Sequence, residues 1–333
     1  MSGSMIVLLA ALLAVGGCCP SAQPSSPQRL VGIGYQTWFP PQPWSRTFDE
    51  PLLGFYRSDD PKVIRQHAEW LGQAGVDFIW IDWSNNIQAG PARSDLLQIE
   101  QATRVVFDEY LRLDRRPRIS IFLGIDGKAA FVADGSLSRK ADQVWREYAG
   151  NPTYQPLVQT YLGKPLLVIF VGCPSPFGDR LPTWDDPRFT VRWMSGFLGS
   201  QNGMTAADGR SLRGYWSWFE RWPNSYSMQA GRCEAMTVNA GWPGEAGWEA
   251  PDAVGRRDGQ TFERHWQRVR ELGPRIVLVN SWNEWVLGEE HSPELSNDLE
   301  PSRTLGMRYL ELLGEQIRRY KTMPQPKAPP TDS

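Results

Sequence analysis

The chain has 333 residues, of which 41% are apolar and 22% are charged, and its formal net charge is −2. This composition excludes a disordered or fibrous protein and allows one large domain with a sizeable buried core. Because no block of Lys and Arg residues stands out, the charge pattern disfavours nucleic acid and other polyanions as partners.

The first 27 residues have the pattern of an export segment. An apolar run from Met5 to Val15 is too short for a permanent membrane span, and small residues and a Pro/Ser-rich linker follow it. The stretch "VGGC" resembles the lipobox of bacterial lipoproteins, in which Cys18 would be acylated. No Lys or Arg precedes the run, so plain secretion stays open as the alternative. We expect an exported protein whose only membrane contact is a lipid at Cys18.

Short apolar runs then alternate with helical patterns. Pro61 begins and Gly75 ends the first helical pattern, and Ser94 is placed to cap the second. The predicted strands cover residues 30–39, 76–83, 118–125, 164–172, 188–194, 213–220, 234–241 and 275–285. The predicted helices cover residues 61–75, 94–113, 136–150, 259–272 and 302–321.

The order of these elements predicts the fold class. Eight apolar strands interleaved with helices indicate a parallel sheet covered by helices, and eight strands close a (β/α)8 TIM-type barrel. The connections after the fifth and sixth strands are rich in Gly and Ser and show no amphipathic helix, so an irregular barrel is expected. One domain over residues 28–322 follows, with a disordered tail over 323–333. We expect it to be a monomer.

Polar and aromatic residues at the strand ends are the candidate site residues, because such barrels form their active sites at the C-terminal ends of the strands. Tryptophan is frequent, with 16 in the chain. Its flat ring suits the face of a sugar, although it also fills protein cores. The candidates for substrate binding are Tyr35, Trp38, Trp83, Trp218, Asn239, Trp242, Asn283 and Trp285.

Three carboxylates at these ends are candidates for catalysis. Glu284 lies beside Asn283 between bulky aromatic residues, after a run too apolar to hold a charge without purpose. Asp82 and Glu220 could instead have structural roles, because either could form an ion pair with a nearby Arg. Glycoside hydrolysis requires two such acids, because one protonates the leaving oxygen while the other supplies a base or nucleophile.

The sequence lacks the motifs of other enzyme classes. No GxxxxGK[ST] or GxGxxG follows a strand, and no GxSxG is present. The three histidines and four cysteines show no metal-ligand spacing. We therefore expect neither a metal nor a cofactor.

Two blocks of the sequence resemble glycoside hydrolase family 99 and its family 71/99-like (WbsX-like) relatives. The first is "PLLGFYRSDDPKVIRQHAEWLGQAGVDFIWIDW" over residues 51–83. The second joins "RDGQTFERHW" (257–266) to "VNSWNEW" (279–285) and "LEPS" (299–302), and it is similar to that family's closing "NEWxEGxxxEP" block. The ordered matches span roughly residues 30 to 320.

This resemblance implies a (β/α)8 barrel that acts on glycans, with endo-α-mannosidases as the best-known members. It implies that Glu284 is a base that helps the substrate's own 2-hydroxyl to attack the anomeric carbon. The family's general acid lies three residues later, where this chain has Leu287, and an insertion over residues 289–298 follows. Leucine carries no proton, so the acid must come from elsewhere.

Glu289, Glu290 and Glu220 are the candidates to supply this proton. Three outcomes stay open. The protein is a hydrolase with a rearranged acid, a hydrolase of different stereochemistry that uses Glu284 with Asp82 or Glu220, or a barrel that binds glycans without cutting them.

Overall fold

The computed structural model describes residues 29–40, 47–201, 203–243, 253–285 and 292–324. Within these ranges the strands are β1 (Leu30–Tyr35), β2 (Phe78–Trp83), β3 (Arg118–Gly124), β4 (Thr160–Tyr161), β5 (Lys164–Phe170), β6 (Thr190–Ser195), β7 (Trp216–Ser217), β8 (Ser227–Gln229), β9 (Arg232–Val238) and β10 (Ile276–Val279). The helices are α1 (Pro61–Ala74), α2 (Ser94–Tyr110), α3 (Ala130–Ala133), α4 (Ser136–Val144), α5 (Gln260–Leu272) and α6 (Arg308–Lys321).

The sheet curls into a barrel of parallel strands. Neighbouring strands follow the order β7-β6-β5-β3-β2-β1-β10-β9, with parallel pairing throughout. The two ends of this path meet where the Thr237 hydroxyl on β9 donates to the Ser217 carbonyl on β7. The short strands β4 and β8 pair antiparallel with β5 and β9. The predicted (β/α)8 barrel is confirmed.

Several predicted boundaries change. β1 ends at Tyr35 and β10 at Val279, so the residues after them form loops at the barrel mouth. The last helix begins at Arg308 because residues 302–307 turn back through the pairing of Ser302 with Gly306. The predicted cap of α2 is wrong: Arg93 is the N-cap residue and makes no side-chain capping bond.

Other expectations hold. α1 begins at Pro61 and ends at Gly75, whose left-handed φ of 86° closes the helix. No α-helix lies between β6 and β7 or between β7 and β9 in the part of the chain that is described, as the Gly/Ser-rich connections predict. No described helix has the length and apolarity needed to cross a membrane. The predicted leader over residues 1–27 lies outside the described residues.

The strands bury both of their faces. One face fills the barrel interior, and its apolar residues include Phe78, Trp80, Phe122, Val168, Met194, Trp216, Trp218 and Leu278. The opposite face packs under the helices, and its residues include Val31, Ile33, Ile79, Ile81, Leu123 and Val277. Side chains alternate between these two environments along each strand.

Glycines on β1 make room for the large interior rings. A Cβ at Gly32 would lie 2.3 Å from the ring of Phe78, and a Cβ at Gly34 would lie 2.6 Å from Nε1 of Trp80. These separations are far below ordinary van der Waals contact. The interior of the barrel therefore requires glycine at both positions.

Gly32→Ala should lower the free energy of unfolding by about 2 kcal/mol, because the added methyl group overpacks the interior against Phe78. Denaturant unfolding measures this loss. In a Phe78→Leu background the same substitution should cost less. Gly90→Ala is the control, since its Cβ would meet nothing closer than 3.9 Å. An equal cost of Gly32→Ala in both backgrounds would contradict this packing.

Candidate active site at the barrel mouth

Three acidic side chains come together at the C-terminal end of the barrel. Asp82 is the last inward-facing residue of β2, on the same face as Phe78 and Trp80. Glu284 lies in the loop after β10, and Asp298 lies in the segment before α6. The charges of Asp298 and Asp82 both act on Glu284.

Glu284 is the partly exposed member of this group. Its Oε2 accepts a hydrogen bond of 3.2 Å from Nδ2 of Asn297, and its backbone N–H donates to Oγ of Ser281 over 3.3 Å. Burial raises the pKa of Glu284 well above its usual range, and the charges of Asp298 and Asp82 raise it further. This setting favours the protonated form of the carboxyl group.

Asp298 is buried against Glu284. Its Oδ2 accepts from the Ser296 hydroxyl over 2.7 Å, and its Oδ1 accepts from the Ser281 hydroxyl over 3.2 Å. Burial raises the pKa of Asp298 to about 7, and the Ser296 hydroxyl and the Arg256 charge oppose this rise. Sequence reasoning missed Asp298. The available signal was an acid at the end of the insertion, next to "LEPS".

Asp82 has a different environment. Its Oδ1 accepts the backbone N–H of Ser84 over 2.7 Å. Burial raises the pKa of Asp82, while the bonds from the backbone and side chain of Ser84 oppose the rise. The site therefore holds carboxyl groups with unequal proton affinities, which is the condition for separate acid and base roles.

Amide side chains follow three adjacent strands at the same end of the barrel. Gln36, Asn239 and Asn280 are each the first residue after β1, β9 and β10, and all three are fully buried. Among the described residues, both polar atoms of the Gln36 amide and the Oδ1 atoms of Asn239 and Asn280 have no hydrogen-bond partner. The same is true of Nε1 of Trp80 in the interior. Such atoms cost about 1–3 kcal/mol each unless a ligand or water pairs with them.

Three predicted ligand-binding residues belong instead to a buried network around Glu300. Tyr56 and Trp285 donate to Oε2 of Glu300 over 2.7 and 2.6 Å, and Nε2 of His67 lies 2.8 Å from Oε1. The Tyr35 hydroxyl bonds Nδ1 of His67 over 3.0 Å. Tyr35 and Trp285 are both buried.

Asn283 extends this network to β1. Its Oδ1 accepts the backbone N–H of Gln36 over 2.8 Å, and its Nδ2 donates to the Gln36 carbonyl and to the Tyr56 hydroxyl. Both N–H donors and the oxygen of the Asn283 side chain are thus engaged within the protein. Tyr35, Asn283 and Trp285 hold the loops in place, and their contacts do not support the predicted role in binding sugars.

The remaining tryptophans divide between packing and the mouth. Trp83 faces outward and donates to Thr103 on α2, so it lies under the helices and away from the barrel interior. Trp242 is buried against Phe197 and Phe219. Trp218 stacks on Phe122 inside the barrel, with ring centres 4.8 Å apart. Trp38 is half-buried beside Phe39 and stays a candidate for the rim.

Glu220 faces the connection between β6 and β7. Its carboxylate accepts from the Ser217 hydroxyl and from the backbone N–H of Gly199. Burial raises the pKa of Glu220 to about 7, although these bonds oppose the rise. Its charge is not among the main influences on Glu284. Glu289, Glu290, Leu287 and Cys18 lie outside the described residues, so their predicted roles stay predictions.

The described residues contain no group of three or more His, Cys, Asp or Glu side chains able to hold a metal ion.

Solved structures with the same fold are known for carbohydrate-active proteins. The GH99 endo-alpha-mannosidase from Bacteroides thetaiotaomicron superposes with a TM-score of 0.60 at 14% identity, over 88% of this chain and 98% of that chain. Its complex with BIS-TRIS-propane gives 0.61 at 14% identity, over 88% and 97%. A glycoside hydrolase-like protein gives 0.54 at 12% identity, over 90% and 97%.

Comparison at the level of sequence finds no relative of this chain. No protein-family profile matches the chain, and no curated protein matches it. At 12–14% identity the structural likeness shows a shared fold, and the chemistry must be argued from the residues of the site.

Glu300→Gln should lower the free energy of unfolding by about 3 kcal/mol, because an amide replaces one of the two acceptor oxygens that His67, Tyr56 and Trp285 use. Chemical denaturation measures the loss. Glu315→Gln removes an exposed ion pair with Arg319 and should change stability by less than about 1 kcal/mol. Equal effects of the two substitutions would contradict the structural role of Glu300.

Glu220→Gln tests the raised pKa of Glu220 through the pH dependence of stability. The folded state holds this proton up to about pH 7, whereas the unfolded chain releases it near 4.5. Wild-type stability should therefore fall, relative to the variant, as the pH rises from about 4.5 to about 7. The relative loss should be on the order of 3 kcal/mol. A difference that is constant across this range would refute the shift.

Proposed function

We propose that this protein is a glycoside hydrolase that cleaves a glycan at the mouth of the barrel, with Glu284 as the proton donor and Asp82 as the base. The observation that carries the proposal is the pairing of a partly exposed acid with a second carboxylate at the C-terminal ends of the strands. Barrels of this kind form their active sites at that end.

The environments of the two acids support these roles. Glu284 is flanked by Asp298 and Asp82, and this like charge favours its protonated form. Asp82 accepts hydrogen bonds from Ser84, which stabilise its anion. The resemblance to family 99 implies a base at Glu284, but the two neighbouring acids favour a proton donor.

In the proposed reaction, Glu284 gives its proton to the glycosidic oxygen as the bond between that oxygen and the anomeric carbon breaks. Water adds to the anomeric carbon and passes a proton to the carboxylate of Asp82. Transfer of one proton from Asp82 to Glu284 through solvent restores the starting state. The reaction requires no oxidant, reductant or cofactor, and glycosidases distribute acid and base roles between two carboxyl groups in this way.

The unpaired amides support a polyhydroxylated substrate. Gln36 offers both a donor and an acceptor, and Asn239 and Asn280 each offer an acceptor. Sugar hydroxyl groups can pair with all of these atoms. Trp218 lies close to the same interior and supplies an apolar ring face. We propose that these residues bind the ring beside the cleaved bond, and that the protein works outside the cytoplasm, anchored through Cys18.

A glycan-binding barrel without catalysis is the second candidate. The observation that favours it is Leu287, which stands where the resembling family has its general acid. In this case the unpaired amides would bind sugar while no proton transfer follows.

Glu284→Gln should reduce hydrolysis of oligosaccharides, including α-mannan fragments, by about 10²–10⁴-fold, because a glutamine cannot donate the proton. Release of reducing ends measures turnover, and calorimetry of the same sugars measures binding. Wild-type activity should fall as the pH rises through the pKa of Glu284, because the donor is then lost.

Asp126→Asn is the matched control, since this acid follows β3 at the same end of the barrel but forms an exposed ion pair with Lys128. It should retain full activity. Sugar binding with no turnover by the wild type on the whole panel would favour the non-catalytic barrel. Full activity of Glu284→Gln would exclude Glu284 as the donor.

A further inference from the structure

The hydroxyl group of Ser281 connects Glu284 to Asp298. It donates to Oδ1 of Asp298 over 3.2 Å, and it accepts the backbone N–H of Glu284 and Nδ2 of Asn297 over 3.3 and 3.2 Å. The same Nδ2 of Asn297 also donates to Oε2 of Glu284 over 3.2 Å. One hydroxyl and one amide thus fix the two carboxyl groups relative to each other.

The two carboxyl groups receive unequal support. Asp298 accepts bonds from two hydroxyl groups, those of Ser296 and Ser281, and the backbone N–H of Glu284 and the charge of Arg256 also oppose the rise that burial causes in its pKa. The support for Glu284 comes from two neutral groups, the amide of Asn297 and the hydroxyl of Ser281, and it shares that hydroxyl with Asp298. These contacts stabilise a negative charge on Asp298 more than on Glu284.

Charged groups on the surrounding elements reinforce this difference. Asp82, at the end of β2, faces Glu284 and disfavours a second negative charge there. Arg256, just before α5, is fully buried; its guanidinium donates to the Asp298 carbonyl and lies 4.1 Å from the Tyr309 ring centre. The cation is therefore held on the side of Asp298.

We propose that Asp298 is a positioning residue that carries the negative charge of the pair, fixed by Ser281 and Ser296, so that Glu284 keeps the proton and presents it to the substrate. The catalytic meaning of this arrangement rests on the proposed hydrolase function. The distribution of the proton between the two groups, however, can be measured without any substrate.

The arrangement also explains how the chain could work with Leu287. Because Asp298 supplies the fixed negative charge, Glu284 can act as the acid itself, and no second glutamate is required three residues later. Glu284 is partly exposed at the barrel mouth, so its carboxyl group is accessible to a glycosidic oxygen.

Carboxyl ¹³C NMR of the full chain tests the proposal by titrating Glu284 and Asp298, assigned through their backbone connections. In Asp298→Asn the midpoint of Glu284 should fall by about one pH unit, because the neighbouring charge is gone. In Glu284→Gln the midpoint of Asp298 should stay unchanged, because Glu284 is already neutral when Asp298 ionises. Asp126→Asn should move neither midpoint.

The proposal would be overturned if the titration midpoint of Glu284 did not move in Asp298→Asn. It would also be overturned if the midpoint of Asp298 fell in Glu284→Gln. If Asp298→Asn does not fold, Glu284→Gln decides alone, since a lowered midpoint of Asp298 would show that Glu284 ionises first. Lack of activity on every glycan would refute the proposed function. The titration would still decide whether Glu284 or Asp298 holds the proton. If the enzyme is active, the alkaline limb of its pH–rate profile should shift to lower pH in Asp298→Asn. The size of this shift should equal the shift in the titration midpoint of Glu284.

Discussion

The carboxylate of Glu300 is the contact on which the geometry of the site depends. It is buried, and it joins His67 on α1, Tyr56 in the loop after β1 and Trp285 in the loop after β10. A buried carboxylate is costly unless its lone pairs are used, and here three donors use them. Because Trp285 is tied to Glu300 and Asn283 is tied to β1, the residue between them has little freedom. The position of Glu284 is therefore set by a buried network that joins α1, the loop after β1 and the loop after β10.

The barrel mouth above this network holds like charges and unpaired polar atoms, which destabilise the folded protein. Three acids share one region, and four buried polar groups around Gln36 and Asn280 make incomplete hydrogen bonds. Each of these features costs free energy that an apolar interior would avoid. Local conflicts with stability are expected at functional sites, and unpaired buried polar atoms also occur elsewhere in the described residues, for example at His265. The interior around Phe78 and Gly32 is filled by apolar contacts.

The fold of this protein follows that of its structural neighbours, whereas the proposed acids do not all stand where the family resemblance places them. The order of the strands and the blocks around "NEW" and "LEPS" follow a common plan, and the barrel superposes over 88% of the chain at 14% identity. The proposed pairing of acids departs from that plan, because Leu287 stands at one of the expected acid positions and Asp298 comes from a later segment. A fixed scaffold with acids supplied from different loops is the usual way in which barrels change their chemistry.

The eight strands, their order, the irregular connections and the candidate acids Glu284 and Asp82 could be predicted from the sequence, since apolar runs, breakers and strand-end acids are local signals. The sequence could not determine which side of each strand faces the barrel interior. Parallel barrel strands are apolar on both faces, so no alternation of polar and apolar residues separates Asp82, which faces inward, from Trp83, which faces the helices. Nor could it pair Glu284 with Asp298, because that contact joins two loops through the hydroxyl of Ser281. Only the tertiary structure brings those side chains within range of each other's charge.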